Sequence, residues 1–371
     1  MADLSTAPLF INADANQIAS DIMAYYESIT GKVLQPAQVE RIVLQVLAYR
    51  EKLLRDNIND ACLTQLIDFS RAPMIDFVVA LVGVKRLSAQ AATVTLEFSI
   101  IAGHTGVTVP SGTRVQSADG KVIFATVADS VVPIGTFVAD VAAVCDTTGE
   151  IGNSYGINTI NSLLDPQAFI TDVTNIDVSG GGSDVETDDQ LRDRAKLAPD
   201  AFSNAGSIGA YKFWAKSASP DIIDVSVSSS VAGTVNIYPL VKGGVTTPSG
   251  VITAVTNTCS ADKVRPLSDT VVVASPTATN YNISVHLAAF NGFVDADIID
   301  AVDAALNDYA QAKMAILGGD IVKAEITKIC MEVPGVYNVS IASPASDTTI
   351  DLQHFAKIGT VTVDITSHTD G

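Results

Sequence analysis

The sequence is short of charge, and what it has leans to one sign. Only 17% of its 371 residues are Asp, Glu, Lys or Arg, and 22 basic residues stand against 41 acidic ones, a net charge of −19. Such a surface argues against nucleic acid and anionic membranes as partners, because phosphate is gripped by clustered Lys and Arg. Long apolar runs are missing as well. Stretches such as Phe77–Val84 stop far short of the roughly 20 residues that cross a bilayer. The opening MADLSTAPLFINADANQ has no basic segment leading into an apolar block, so no secretory signal is expected. Cysteine is scarce: Cys62, Cys145, Cys259 and Cys330 are far apart with no C-x-x-C pair, which predicts buried free thiols in a product made in the cytoplasm. His104, His286, His354 and His368 lack any paired metal-ligand spacing.

Apolar residues, by contrast, make up 47% of the chain. A soluble monomer needs a polar coat, and typical domains are about 25% charged. Two explanations stay open: wide surfaces kept against other subunits, or well-buried domains with a Ser/Thr/Asn exterior. The length suggests two to four domains.

Periodicity divides the chain into a multi-domain α+β architecture: an N-terminal helical arm, a β-rich domain, then two small α+β domains. In residues 1–90 the pattern is helical. From Gln35 to Asp56, Val39, Ile42, Val43, Val46, Leu47, Leu53 and Leu54 recur at i, i+3, i+4, i+7 spacing, opposite Glu40, Arg41, Glu51, Lys52 and Arg55. Further helices are predicted near Ala15–Ser28, Asn57–Phe69 and Met74–Val84. A single apolar stripe of this kind needs a partner surface. From Thr93 the period becomes two, with Val94, Leu96, Phe98 and Ile100 alternating with polar residues. Residues 91–182 read as short strands between turns, ending at Gly180, Gly181 and Gly182, a predicted hinge because glycine lacks the steric limits that stiffen a linker. Residues 183–275 and 276–371 each mix helices with strands, the last in the order β-α-α-β-β, which suggests a small sheet covered on one face. Charge divides unevenly too. Residues 1–90 hold 8 basic and 10 acidic residues, leaving 14 and 31 for the remainder.

Reactive constellations are weak. Gly152-Asn-Ser154-Tyr-Gly156 fits G-x-S-x-G, but a nucleophile elbow needs a strand before the serine and a helix after it. Turn residues precede Ser154 and an extended stretch follows, so a tight glycine turn is expected. Asp184, Glu186, Asp188 and Asp189 lack the oxygen spacing of a calcium loop. Helix capping explains them more simply, since Thr187 and Gln190 form a capping-box pattern and acidic residues suit the first turn. No P-loop or dinucleotide fingerprint is present.

Several motifs lie in a characteristic order. After the helical arm come V-P-S-G-T-R-V-Q-S-A-D-G-K-V-I-F-A-T (109–126), G-E-I-G-N (149–153) and G-G-G-S-D-V-E-T-D-D-Q-L-R-D-R (180–194). Ala210-Tyr-Lys-Phe-Trp-Ala215, V-R-P-L-S-D-T-V (264–271) and E-V-P-G-V-Y-N-V (332–339) follow. In this order the chain resembles the baseplate J-like family, the baseplate wedge proteins of contractile-tailed phages and related injection systems. The arm, with Leu47-Ala-Tyr-Arg50 and Ala80-Leu-Val-Gly-Val84, looks closest to the compact P2-like form.

The resemblance implies a structural protein of the virion tail baseplate, or of a contractile injection particle, assembled in the host cytoplasm. It implies no enzymatic role and no cofactor. Two copies would join a different wedge protein (tail protein I-like) in a heterotrimer through a shared bundle, making the stripe Val39–Leu54 the candidate interface. Residues 276–371 would supply ring or dimer contacts. Six wedges would surround a central hub and spike, with a small lysozyme-like wedge protein docked nearby, and rearrangement of the ring would trigger sheath contraction. Asp184, Glu186, Thr187, Asp188, Leu191, Arg192 and Arg194 carry the family motif. The rival expectations are a surface-binding, adhesin-like tail module and a serine hydrolase around Ser154.

Overall fold

A computed structural model describes residues 7–202, 206–262, 264–266 and 268–370. Residues 1–6 of the opening stretch and Leu267 of the V-R-P-L-S-D-T-V motif lie outside the described residues. The chain forms two compact units, Met1–Arg86 with Thr187–Lys196, and Leu87–Glu186 with Leu197–Gly371.

The first unit is helical. It holds α1 (Ala15–Thr30), α2 (Val39–Leu63), α3 (Met74–Ala80) and most of α4 (Asp188–Leu197). Asp14 opens α1 by accepting from the Gln17 N–H at 2.8 Å, and Gly31 ends it in the left-handed conformation. The expected break at Asn57 does not occur: α2 runs through it for 25 residues, about 37 Å. Asparagine weakens a helix mainly by offering the backbone a competing partner. Asn59, two residues on, has its side chain engaged elsewhere, accepting from Phe10 N and Ile11 N and donating to Ile11 O at 2.9–3.1 Å. The predicted helix at 57–69 is therefore the end of α2 followed by turns.

The second unit begins with β1 (Ala91–Ile100), β2 (Val107–Val109), β3 (Arg114–Ser117), β4 (Ile123–Thr126), β5 (Ser130–Val132), β6 (Val138–Thr148), β7 (Ile160–Leu163) and β8 (Ile170–Asn175). Six of these form one antiparallel sheet in the order β7-β3-β4-β6-β1-β8, and β2 pairs with β5. Alternate residues point inward, so Leu96, Phe98, Val115, Phe124, Val141, Ile160 and Val173 fill the interior. The edge strands β7 and β8 approach each other, making the sheet a nearly closed barrel. Asn175, fully buried, bridges the remaining gap. Its Oδ1 accepts from Thr159 N and Ile160 N at 2.9 and 2.8 Å, and its Nδ2 donates to Gly156 O and Asp177 O at 2.8 and 2.7 Å.

A three-stranded sheet follows, built from β9 (Ile222–Val231), β10 (Thr234–Val241) and β11 (Thr270–Val273) in the order β11-β10-β9. β9 and β10 are antiparallel, while β10 and β11 run parallel across α6 (Ser249–Cys259). With α5 (Ile208–Ala218), which Ser207 caps, they bury Tyr211, Val225, Ile237, Val251, Val255 and Cys259. The last sheet has the order β13-β12-β14, from β12 (Thr277–Phe290), β13 (Val336–Ser343) and β14 (His354–Thr369). α7 (Asp295–Met314) packs on β14 and α8 (Lys323–Met331) on β13, closing a core of Ile283, Val285, Leu287, Val302, Leu306 and Ile326. A multi-domain α+β chain with a leading helical arm and a β-barrel is thus what folds.

Candidate assembly surfaces

The seven stripe residues share one face of α2, and the folded chain leaves that face open. Val39 is 71% exposed, Leu54 60%, Val46 57%, and Ile42, Val43 and Leu47 53% each; only Leu53, at 38%, is less so. The side that α2 turns inward is small, with Ala48 buried on α2 and Ile18 on α1. Glu51 and Arg55, and Lys52 and Asp56, pair along the helix at i, i+4. Tyr25 and Ile29 on α1 and Phe77 on α3 are exposed as well. Exposed apolar side chains on one helix face make α2 a candidate assembly surface.

The family-motif residues have a different job. Thr187 N–H donates to Gln190 Oε1 at 3.1 Å and Gln190 N–H donates back to Thr187 Oγ1 at 3.3 Å, the reciprocal box the sequence pattern predicts. Leu191 is fully buried. Arg192 donates to Ile67 O and Ser70 O at 2.8 and 2.7 Å and pairs with Asp189; Arg194, also buried, reaches Lys85 O. Asp188 accepts from Ala72 N and pairs with Arg86, which also holds Asp76. Burial pushes the Asp188 carboxyl up, but the Ala72 N–H and the Arg86 and Arg192 charges outweigh it and hold it below the usual carboxylate range. Helix α4 is therefore a clamp on residues 67–86. The sequence division places it with residues 183–275, but it groups with residues 1–86. Asp184 and Glu186 lie apart from this clamp, Asp184 accepting from Glu150 N at 3.3 Å and Glu186 exchanging backbone and side-chain bonds with Leu87. The acidic quartet does not converge on one point.

Gly180, Gly181 and Gly182 do not form the open linker expected of a hinge. Thr93 and Gly180 exchange both backbone hydrogen bonds at 2.9 and 3.1 Å. Gly182 is held by both ends of the Asn153 amide, at 2.7 and 2.8 Å. A Cβ on Gly182 would sit 2.4 Å from Gly149 O, and Gly181 has φ +83°. Close approach of backbone, more than freedom, is what glycine supplies here. At Gly152–Gly156 the chain makes a turn: Ser154 sits at φ 64°, its N–H bonds Ser179 O, and Thr159 N returns to Gly156 O with no helix following. The strand-turn-helix context of a nucleophile elbow is therefore not what surrounds Ser154.

Sequence reasoning missed one region. A cavity of about 1070 Å³ lies between the barrel and the central sheet, lined by Thr95, Ser154, Gly181, Asp221, Lys242 and Ser249 among others. Asp221 is only 7% exposed, and Lys242 Nζ pairs with Glu150 Oε1 at 3.1 Å. No local pattern flags Asp221, since its burial depends on residues distant in sequence.

Models of four domains of one protein family match the chain in order: the Baseplate J-like N-terminal domain over residues 41–93, the barrel domain over 95–182, the central domain over 203–275 and the C-terminal domain over 281–364. Baseplate protein J of Escherichia phage P2 is 31% identical over 169 residues, 45% of this chain and 55% of that protein. Baseplate protein gp47 of Escherichia phage Mu is 31% identical over 138 residues, 37% of each chain. The chain thus spans about half the length, or less, of the curated relatives it matches. Among solved structures, a chain of the anti-feeding prophage baseplate, determined by cryo-electron microscopy with sixfold symmetry imposed, aligns over 92% of this chain and 90% of that one. The sequence identity there is 13% and the TM-score 0.40.

Proposed function

The chain belongs to the baseplate J-like family, and from that premise we propose that it is a structural wedge subunit whose helical arm joins other chains in an intermolecular bundle. One observation carries the reading: α2 presents seven apolar side chains at helical spacing, and six of them keep more than half their surface exposed. Two copies of the arm and one of a different, tail protein I-like chain would bury these faces together. The C-terminal sheet would then link wedges into a ring around the hub and spike, beside a small lysozyme-like wedge protein. Rearrangement of that ring would release the sheath. The role is geometric rather than catalytic, in keeping with relatives named as baseplate proteins.

Deleting residues 1–90 is a poor test, because α4 stays behind with Arg192 and Arg194 stripped of their carbonyl partners. The better experiment keeps the chain whole. Native mass spectrometry of the purified protein, alone and mixed with the products of neighbouring reading frames, is expected to find a two-to-one complex with one of them. A chain that stays monomeric and combines with none of them overturns the proposal.

A further inference from the structure

We propose that the cavity between the barrel and the central sheet receives a lysine or arginine side chain carried on an extended segment of another protein. The inference is independent of the wedge reading and rests on what the walls leave unsatisfied.

Asp221, more than nine-tenths buried, lines the cavity, and among the described residues its carboxylate accepts no hydrogen bond. Buried charges are normally paired. The nearest cation, Lys242, is committed to Glu150 on the opposite wall at 3.1 Å. The fourth charged group in the lining, Asp177, is already held by Thr95 N and Oγ1 at 2.8 and 2.9 Å. Asp221 is therefore left without an ion pair or hydrogen-bond donor of its own. Burial drives the Asp221 carboxyl up to about 6, with Lys242 pulling it down and Glu150 pushing it further up.

The remaining lining suits a main chain. Ser154, Thr246 and Ser249 contribute hydroxyls that make no hydrogen bond among the described residues. Ser154 also holds φ 64°, a conformation that a non-glycine residue keeps only where its surroundings impose it, and such residues gather at ligand sites. The walls touch where Gly180 faces Pro248 and Gly250 faces Thr93, since a Cβ on either glycine would come within 3.0 Å of the other side. At about 1070 Å³ the space lies at the upper end of the usual 300–1,000 Å³ of a small-molecule site. A lone amine would leave most of it empty, whereas a short peptide with one basic side chain fills it and neutralises Asp221.

The test uses the full chain and three probes at pH 7.5: the acetylated, amidated peptide Gly-Ser-Lys-Ser-Gly, its glutamine counterpart, and putrescine, each followed by titration calorimetry. The lysine peptide is expected to bind about tenfold more tightly than the glutamine one, as pairing a buried charge requires. In Asp221→Asn that preference is expected to fall to about twofold or less. In Lys242→Met, which removes the competing ammonium, binding of the lysine peptide is expected to tighten about threefold. This second variant reads the same charge with Asp221 intact. Equal affinity for both peptides, no binding of either up to about 10 mM, or an unchanged preference in Asp221→Asn overturns the proposal. Putrescine binding as tightly as the lysine peptide overturns it in favour of a small amine.

Discussion

The double substitution Val46→Ala with Leu54→Ala separates an interface stripe from a core. Both side chains keep more than half their surface in water, at 57% and 60%. Full burial of a Val or Leu side chain stabilises by about 1.5–3 kcal/mol, so each has roughly 1 kcal/mol still to gain from a partner. Truncating both is expected to cost the isolated chain about 0.5 kcal/mol or less, the ordinary range for surface positions. If two copies enter one assembly, the loss there doubles to about 4 kcal/mol, near a thousandfold in affinity. Ile18→Ala provides the contrast: at 2% exposure its loss is expected to destabilise the monomer by about 2–5 kcal/mol. Scanning calorimetry of the single chains and sedimentation of their mixtures with partner chains give the two readouts. A marked fall in the melting temperature of Val46→Ala/Leu54→Ala, or an assembly that forms at unchanged concentration, would refute the reasoning.

Four further outcomes are expected. Asn175→Ala leaves four backbone groups at the barrel seam without the partner they now have, and urea titration should show a loss of about 3–5 kcal/mol. Gly182→Ala drives a methyl to 2.4 Å from the Gly149 carbonyl; because backbone cannot swing aside, about 1–3 kcal/mol should disappear in the same assay. The Asp221 carboxyl titrates at about 6 when folded and near 3.9 when unfolded. The folded chain therefore binds the extra proton between these values, so stability declines as pH rises from about 4 through 6, by up to about 3 kcal/mol. Asp221→Asn should flatten that slope and be the more stable protein at pH 7.5; a wild-type profile in the variant counts against the assignment. Finally, raising salt from about 50 to 500 mM should leave assembly intact or tighten it, because apolar burial is not screened while repulsion between acidic bodies is; light scattering that shows dissociation would point to ion pairs instead.

Local patterns were readable and distant partners were not. The apolar period of α2 and the alternation of β1 depend on neighbours along the chain, and both elements form there, although α2 starts at Val39 and runs on to Leu63 rather than spanning 35–56. The capping box at Thr187 and Gln190 was equally legible, being complete within four residues. Where that helix packs was not, because Arg192 and Arg194 find their partners more than a hundred residues earlier. The glycines at 180–182 show why composition alone misleads. A flexible joint and a close backbone seam call for the same residue, and only Gly149 O and the Asn153 amide, about thirty residues away, distinguish them. Asn57 erred in the other direction, since a poor helix former is tolerated where tertiary contacts such as those of Asn59 hold the helix together.

The distribution of charge gives these pieces a common logic. Residues 91–371 hold 14 basic and 31 acidic residues, while the first 90 are nearly balanced. At physiological ionic strength repulsion fades over about 8 Å, so two acidic bodies resist contact at short range without repelling the arms that precede them. The apolar stripe of α2 attracts instead, and burial of such a face is non-directional. Left alone, such a stripe would aggregate. In the proposed assembly, attachment to an acidic remainder would instead limit how many chains gather at the stripe. On the proposed reading, low total charge and strong charge asymmetry would serve one end: the arm would supply the attraction and the acidic remainder would set how many copies that attraction can collect.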